Sequence, residues 1–236
     1  MTSVATAPWP SDGLPEIGLR RLRPIAKRLG LRRWDIHELG ADQVPAEGPV
    51  ILASNHIGWL DGPLMIAGGP RPAHALVKSE MFVGRVGRLL RFAGQISVRR
   101  DQVDAGAVRR AVRALRAGQA VVMYPEGSRG AGEFEQIKPG VAYLALVTGA
   151  PIVPVAIFGT RQAGEPADAR PATGARIDVA YGTPLTIEAT PWPRDTTSVA
   201  TATETIRTAL VDHIVWAKSV LKRDLPGPLP KGSTDE

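Results

Sequence analysis

The chain has 236 residues, 44% of them hydrophobic, no cysteine and a formal charge of +6. That length suits one domain with a real core, and the missing cysteine excludes disulfides, thiolate metal sites and a cysteine nucleophile. The basic balance favours an anionic partner: nucleic acid, acidic lipid or a phosphorylated small molecule.

In chain order, residues 1–14 read as a loose tail, without the basic start and apolar run of a secretory leader. Residues 17–34, IGLRRLRPIAKRLGLRRW, interleave Leu19, Leu22, Ile25, Leu29 and Trp34 with arginines and lysines, and hold no acid between Arg20 and Arg33. Pro24 and Gly30 divide the segment into short helical pieces. Such a basic amphipathic stretch either packs its leucines on the domain or lies on an anionic membrane. The density of unpaired charge favours the membrane.

From residue 48 the pattern alternates. PVILAS (49–54), AHALVK (73–78), QISVRR (95–100), AVVMYP (120–125) and PIVPVAIFG (151–159) read as strands. Between them, residues 79–94, 101–118 and 140–149 read as helices, with Gly118 closing the second. Residues 141–160 are uncharged and long enough to span a bilayer. Thr148-Gly149, Pro151 and Pro154 break that run into helix, turn and buried strand, so no transmembrane segment is expected. Residues 175–187 read as one or two shorter strands, and 196–222 as a C-terminal helix with an apolar stripe. The expected fold is α/β: a mostly parallel central sheet covered by helices, with an N-terminal basic amphipathic helical segment. The expected organisation is a tail and membrane-associating segment over 1–40, the α/β domain over 41–225 and a C-terminal tail over 226–236.

Residues 54–63, SNHIGWLDGP, follow the first buried strand directly. Ligands of open α/β sheets gather at the carboxyl ends of strands, so His56 is well placed for chemistry. His56 and Asp61 would stand roughly 140° apart on a regular helix. Gly58 permits a turn between them, and Asp61 can start the next helix. The carboxylate then accepts from one imidazole nitrogen and leaves the other as a free base. No G-x-S-x-G elbow supplies a nucleophile, so the nucleophile is expected to be a substrate hydroxyl. His37, His74 and His213 are scattered singly, so no metal is expected.

YPEGSRG (124–130) lies at the end of another strand. Pro125 and Gly127 make a turn between Glu126 and Arg129, and arginine binds phosphate bidentately. GQISVRR (94–100) ends a third strand in Arg99 and Arg100.

Together these blocks resemble the glycerolipid acyltransferase family that includes the 1-acylglycerol-3-phosphate acyltransferases. NHIGWLD matches its N-H-x4-D block and GQISVRR its second block, ending at Arg100. YPEGSR is similar to F-P-E-G-T-R, with Tyr124 for Phe and Ser128 for Thr. IVPVAI, centred on Pro154, resembles the fourth. The likeness covers roughly residues 48–160 in order and spacing. Arg99 stands where the second block normally carries an acidic or small residue, leaving open which arginine faces the site.

The resemblance implies an O-acyltransferase with His56 as base and Asp61 as its orienter. It implies an acceptor phosphate held by Arg129 and Arg100, with Glu126 and Gly127 shaping that subsite. Lys78 is the implied oxyanion donor, with Asn55 as an auxiliary, and Pro125, Ser128 and Pro154 are structural. The implied acceptor is a lysophospholipid, 1-acylglycerol-3-phosphate, giving phosphatidic acid; the alternative is another lysophospholipid, glycerol 3-phosphate or a glycolipid. Acyl-CoA or acyl-carrier protein is the implied co-substrate, with no resident cofactor. The expected place is cytoplasmic, peripheral on the inner face of an anionic membrane. A nucleic-acid partner is not expected, because aromatics make up only 5% of the chain and no recognition helix is visible.

Overall fold

The computed structural model describes residues 12–100, 102–190 and 195–233. The start of the expected N-terminal tail (1–11) and the end of the C-terminal one (234–236) lie outside the described residues.

Among the described residues seven strands form one sheet, in the order β1-β7-β6-β2-β5-β3-β4. They are β1 (Asp35–Leu39), β2 (Val50–Ser54), β3 (Ala73–Lys78), β4 (Ile96–Val98), β5 (Ala120–Met123), β6 (Ile152–Phe158) and β7 (Arg176–Tyr181). β6, β2, β5, β3 and β4 run parallel, while β7 pairs antiparallel with β6 and carries β1 parallel to itself. The sheet is therefore mostly parallel, as expected. β1 was not anticipated: DIHEL is an edge strand with little buried surface, so it lacks the apolar run that marked the others.

Both sheet faces are covered, which is why β2 reads as an unbroken apolar stretch. Ile51 and Ala53 point into one core with helices α4 (Ala105–Arg116), α5 (Gly140–Thr148) and α6 (Thr196–Leu221). Val50 and Leu52 point into the other, with Leu31, Leu60, Leu64 and Met65. Asp104 caps α4 by accepting from the Ala107 N–H, and Asp195 caps α6 by accepting from Ser198. Gly149 ends α5 at φ 66°, the left-handed conformation that glycine takes without a Cβ penalty. The uncharged run 141–160 thus divides into helix, turn and strand. Among the described residues no helix is long and apolar enough to cross a membrane.

Two short helices lie on the second face. α1 (Ile17–Ile25) continues through Pro24 into wider and tighter turns that end at Arg33. Leu19 and Leu31 are buried in the domain, while Ile25 and Leu29 are 55% and 72% exposed. The apolar residues of 17–34 are thus shared between core and surface. α2 (Asp61–Pro63) runs into a turn over Leu64–Gly68. Helix α3 (Gly84–Phe92) links β3 to β4. Leu14 and Gly227 are fastened to the domain too. Leu14 N–H donates to Gln119 Oε1 at 2.7 Å, and the Gly227 carbonyl accepts from Arg161.

Candidate active site

The carboxyl ends of the parallel strands form one edge of the sheet. His56 follows β2, Lys78 ends β3, Arg100 follows β4, Glu126 and Arg129 follow β5, and Thr160 follows β6. Strand order makes the β5 and β6 loops the direct neighbours of the β2 loop.

The turn at Gly58 brings His56 back to Asp61. His56 Nδ1 lies 2.8 Å from Asp61 Oδ2, and that oxygen also accepts from the N–H groups of Ile57 and Gly58 at 2.7 and 2.8 Å. Asp61 Oδ1 accepts from the Thr160 hydroxyl at 2.5 Å. The carboxylate is fully buried, an arrangement tolerable only because hydrogen bonds surround it. With Asp61 ionised, Nδ1 carries the imidazole proton and Nε2 is left with its lone pair. A side chain at Gly58 is excluded, since its Cβ would stand 2.6 Å from the Thr160 carbonyl oxygen.

The YPEGSR loop is locked to the same turn. His56 N–H donates to Glu126 Oε2 at 2.9 Å, and its carbonyl accepts from Gly130 N–H at 2.9 Å. Glu126 Oε1 accepts from Phe134 N–H at 3.4 Å. Burial pushes the Glu126 carboxyl above its usual range, and the two backbone N–H donors oppose that rise. Glu126 was expected at the acceptor phosphate or its arginine; its carboxylate is spent on backbone amides and braces His56. The ring of Tyr124 stacks on the His56 imidazole, centroids 4.1 Å apart and planes inclined by 22°. Its hydroxyl is buried and meets no hydrogen-bond partner among the described residues.

Gly127 turns the loop at φ 79°, and a Cβ there would stand 2.4 Å from Lys138 Cε. Arg129 donates to the Ala167 carbonyl at 2.8 Å. Arg100 donates to the Gly127 carbonyl at 3.3 Å, which joins the end of β4 to this loop. Arg99 turns elsewhere: its N–H and guanidinium both address Asp104. Of the two arginines, Arg100 is the one brought to the site. Lys78 is half-buried at the end of β3, two strands from β2 in the sheet.

Asn55, implied as an auxiliary, makes a structural tie in the fold. It is fully buried, and its carboxamide exchanges two hydrogen bonds with the Ile157 backbone, at 3.0 and 2.8 Å. It ties β2 to β6 through its carbonyl oxygen and one of its two amide N–H donors. Pro125 is buried in the turn and Ser128 is exposed. Pro154 sits in β6, one residue before the β7 ladder begins, and its carbonyl accepts from Gly182 N–H at 2.8 Å.

Two residues of the site gave no warning in the sequence. Thr160 reaches Asp61. Arg161, almost fully buried, donates to the carbonyls of Ile57, Gly130, Glu165 and Gly227. It clamps both loops and the C-terminal segment together. Their only signal is position, directly after a buried strand at the same sheet edge. Among the described residues no three histidine, aspartate or glutamate side chains gather as a metal site.

A profile of the acyltransferase family matches residues 35–158. A 1-acyl-sn-glycerol-3-phosphate acyltransferase of Borreliella burgdorferi is 30% identical over 125 residues, 51% of this chain and 50% of the relative. One of Bacillus subtilis is 27% identical over 129 residues, 54% of this chain and 64% of the relative. The matched region thus spans half to two thirds of these relatives' length. The crystal structure of the 1-acyl-sn-glycerophosphate (LPA) acyltransferase PlsC of Thermotoga maritima superposes with a TM-score of 0.64, at 21% identity. That likeness covers 86% of this chain and 79% of that one, and it concerns the fold. The profile takes in β1 to β6 with both site loops, and on that ground the chain belongs to the acyltransferase family.

Proposed function

We propose that the protein transfers a fatty acyl group from a thioester, acyl-CoA or acyl-carrier protein, to the free hydroxyl of 1-acylglycerol-3-phosphate, yielding phosphatidic acid. The observation that carries this reading is the 2.8 Å contact of His56 Nδ1 with a buried Asp61, which leaves Nε2 as a base beside the loop bearing Arg129. The acceptor comes from the names of the curated relatives and from the cations at this edge.

In this reading Nε2 takes the hydroxyl proton as the oxygen attacks the thioester carbonyl. The imidazolium is held by the Asp61 charge. The tetrahedral oxyanion draws on Lys78. As the C–S bond breaks, the imidazolium returns its proton to the departing thiolate. Arg129 and Arg100 hold the acceptor phosphate as point and fork donors, with Gly127 keeping the backbone close. Glu126 keeps His56 in place by its backbone. The reaction draws on no resident cofactor. The enzyme works peripherally on the cytoplasmic face of an anionic membrane, reached through the basic residues of 17–34, because the acceptor is dissolved in lipid and the donor in water.

Thiol release from palmitoyl-CoA, with vesicles and a panel of acceptors, tests this. Lysophosphatidic acid should support turnover, and His56→Ala should abolish it while the protein stays folded. The truncation keeps the backbone bonds of residue 56 to Glu126 and Gly130. Turnover by His56→Ala equal to wild type would remove the base assignment. Turnover with glycerol 3-phosphate or lysophosphatidylcholine instead would change the acceptor and keep the dyad.

A further inference from the structure

Helix α3 presents a surface that nothing in the described fold covers. Val83, Val86, Leu89 and Phe92 are 69%, 50%, 51% and 49% exposed. Val83 caps the helix, and steps of three make Val86, Leu89 and Phe92 successive neighbours on its surface. Arg85 and Arg88, also exposed, form the row beside them, and no acid occurs between residues 81 and 100. Single exposed apolar residues are ordinary, whereas a continuous row of them marks a contact surface.

The row joins a second helix. A Cβ on Gly18 would stand 1.8 Å from the Phe92 carbonyl oxygen, so α1 crosses the end of α3 in backbone contact. Ile17, next to that crossing, is 64% exposed. At its other end α3 starts just beyond Lys78 and the turn over Ser79–Met81, at the edge that carries the site.

We infer that α3 is a docking helix that seats this edge on an anionic bilayer, with Val83, Val86, Leu89 and Phe92 entering the interface and Arg85 and Arg88 meeting lipid phosphates. The inference rests on the lipid-acceptor reading above and goes beyond it, since it assigns the contact to α3 and not to residues 17–34 alone. A basic row beside an apolar row is the pattern of an interfacial helix. A second copy of the chain fits worse: a two-fold contact would set the arginine row against itself.

Flotation of the full chain tests this without substrate. The vesicles are phosphatidylcholine alone and phosphatidylcholine with about one third phosphatidylglycerol. Val86→Gln with Leu89→Gln should lower binding to both by about tenfold or more. Arg85→Gln with Arg88→Gln should lower binding to the anionic vesicles by about fivefold per arginine and leave the neutral ones unchanged. Arg91 is kept, because it donates to the Phe82 carbonyl. Wild-type binding by either variant overturns the inference, as does a wild-type protein that does not float. A change of oligomer size in place of lost flotation assigns the face to a second copy and also overturns it. Lost flotation in the variants, with no acceptor turned over by wild type, would refute the acyl-transfer reading alone. Flotation that α3 does not influence, with lysophosphatidic acid turned over, would refute α3 alone.

Discussion

At the carboxyl edge of β2, β5 and β6 the polar groups of the site are fastened: Asp61 accepts four hydrogen bonds and Arg161 donates to four carbonyls. Along α3, by contrast, only Gly87 is fully buried, and Val86, Leu89 and Phe92 face outward. The first region holds the His56 imidazole in one geometry, as the proposed proton transfer requires. The outward side chains of the second have no cover among the described residues and suit a soft partner outside the fold. Substitutions should therefore be felt as chemistry in the first region and as attachment in the second.

The sharpest test of the fastened region is Asp61→Asn. Three donors converge on Oδ2, so the amide oxygen should take that side. The Thr160 hydroxyl can turn and accept from the amide nitrogen. Geometry and tautomer then survive, while the negative charge facing the imidazolium is lost. We expect kcat to fall by about 10²–10⁴-fold. Exchanging a charged acceptor for a neutral one should lower stability by about 1–3 kcal/mol. KM for lysophosphatidic acid should hardly move, since Asp61 is buried away from the acceptor. A kcat within tenfold of wild type would make Asp61 a structural tie and erase the contrast between the regions.

The sequence showed the parts of this edge that local chemistry dictates and hid those that strand pairing creates. PVILA announces a doubly buried strand because both faces of β2 are covered. HIGWLD announces a dyad because Gly58 allows the bend. β1 was illegible because an exposed edge strand such as DIHEL needs no apolar alternation. The reversal at β7 was illegible because side-chain period says nothing of strand direction. Thr160 reaches Asp61 only because β6 lies beside β2, with Val155 opposite Ser54. Glu126 looked like the partner of a nearby arginine. Its visible partners are backbone N–H groups, and every residue but proline carries one, so no pattern of residue types could point to them.

An intermediate effect should appear at the hinge of the second region. His74 is fully buried, and its Nδ1 donates to the Gly94 carbonyl at 2.8 Å, fixing the turn between α3 and β4. Burial lowers its pKa, with the hydrogen bond to Gly94 opposing. The folded state thus prefers neutral His74, and below the ordinary value of about 6.5 the unfolded chain binds the extra proton first. Stability contributed by this group is whole above that pH and drains as pH falls through it, at up to about 1.4 kcal/mol per pH unit. His213, lowered by burial as well, adds in the same sense. Urea unfolding between neutral and mildly acid pH should show this slope, and His74→Asn, which keeps a donor toward Gly94, should flatten it. An unchanged slope would place the acid sensitivity elsewhere.

The smallest effect concerns the ring that packs on His56. Tyr124 stacks on His56, yet its buried hydroxyl has no partner among the described residues. Burial drives that phenol well above its ordinary pKa, so it stays neutral and gives no charge to the dyad. Tyr124→Phe keeps the ring and removes an unsatisfied polar atom. We expect stability unchanged or raised by about 1 kcal/mol and kcat within about twofold of wild type. Tyr124→Leu removes the stack as well, worth about 0.5–1.5 kcal/mol, and should lower kcat with little change in KM, because a looser imidazole is less often aligned. If Tyr124→Phe instead lost activity as heavily as Asp61→Asn, the hydroxyl would have a partner in the reacting complex. The fastened region would then extend from the carboxylate through the ring to the substrate.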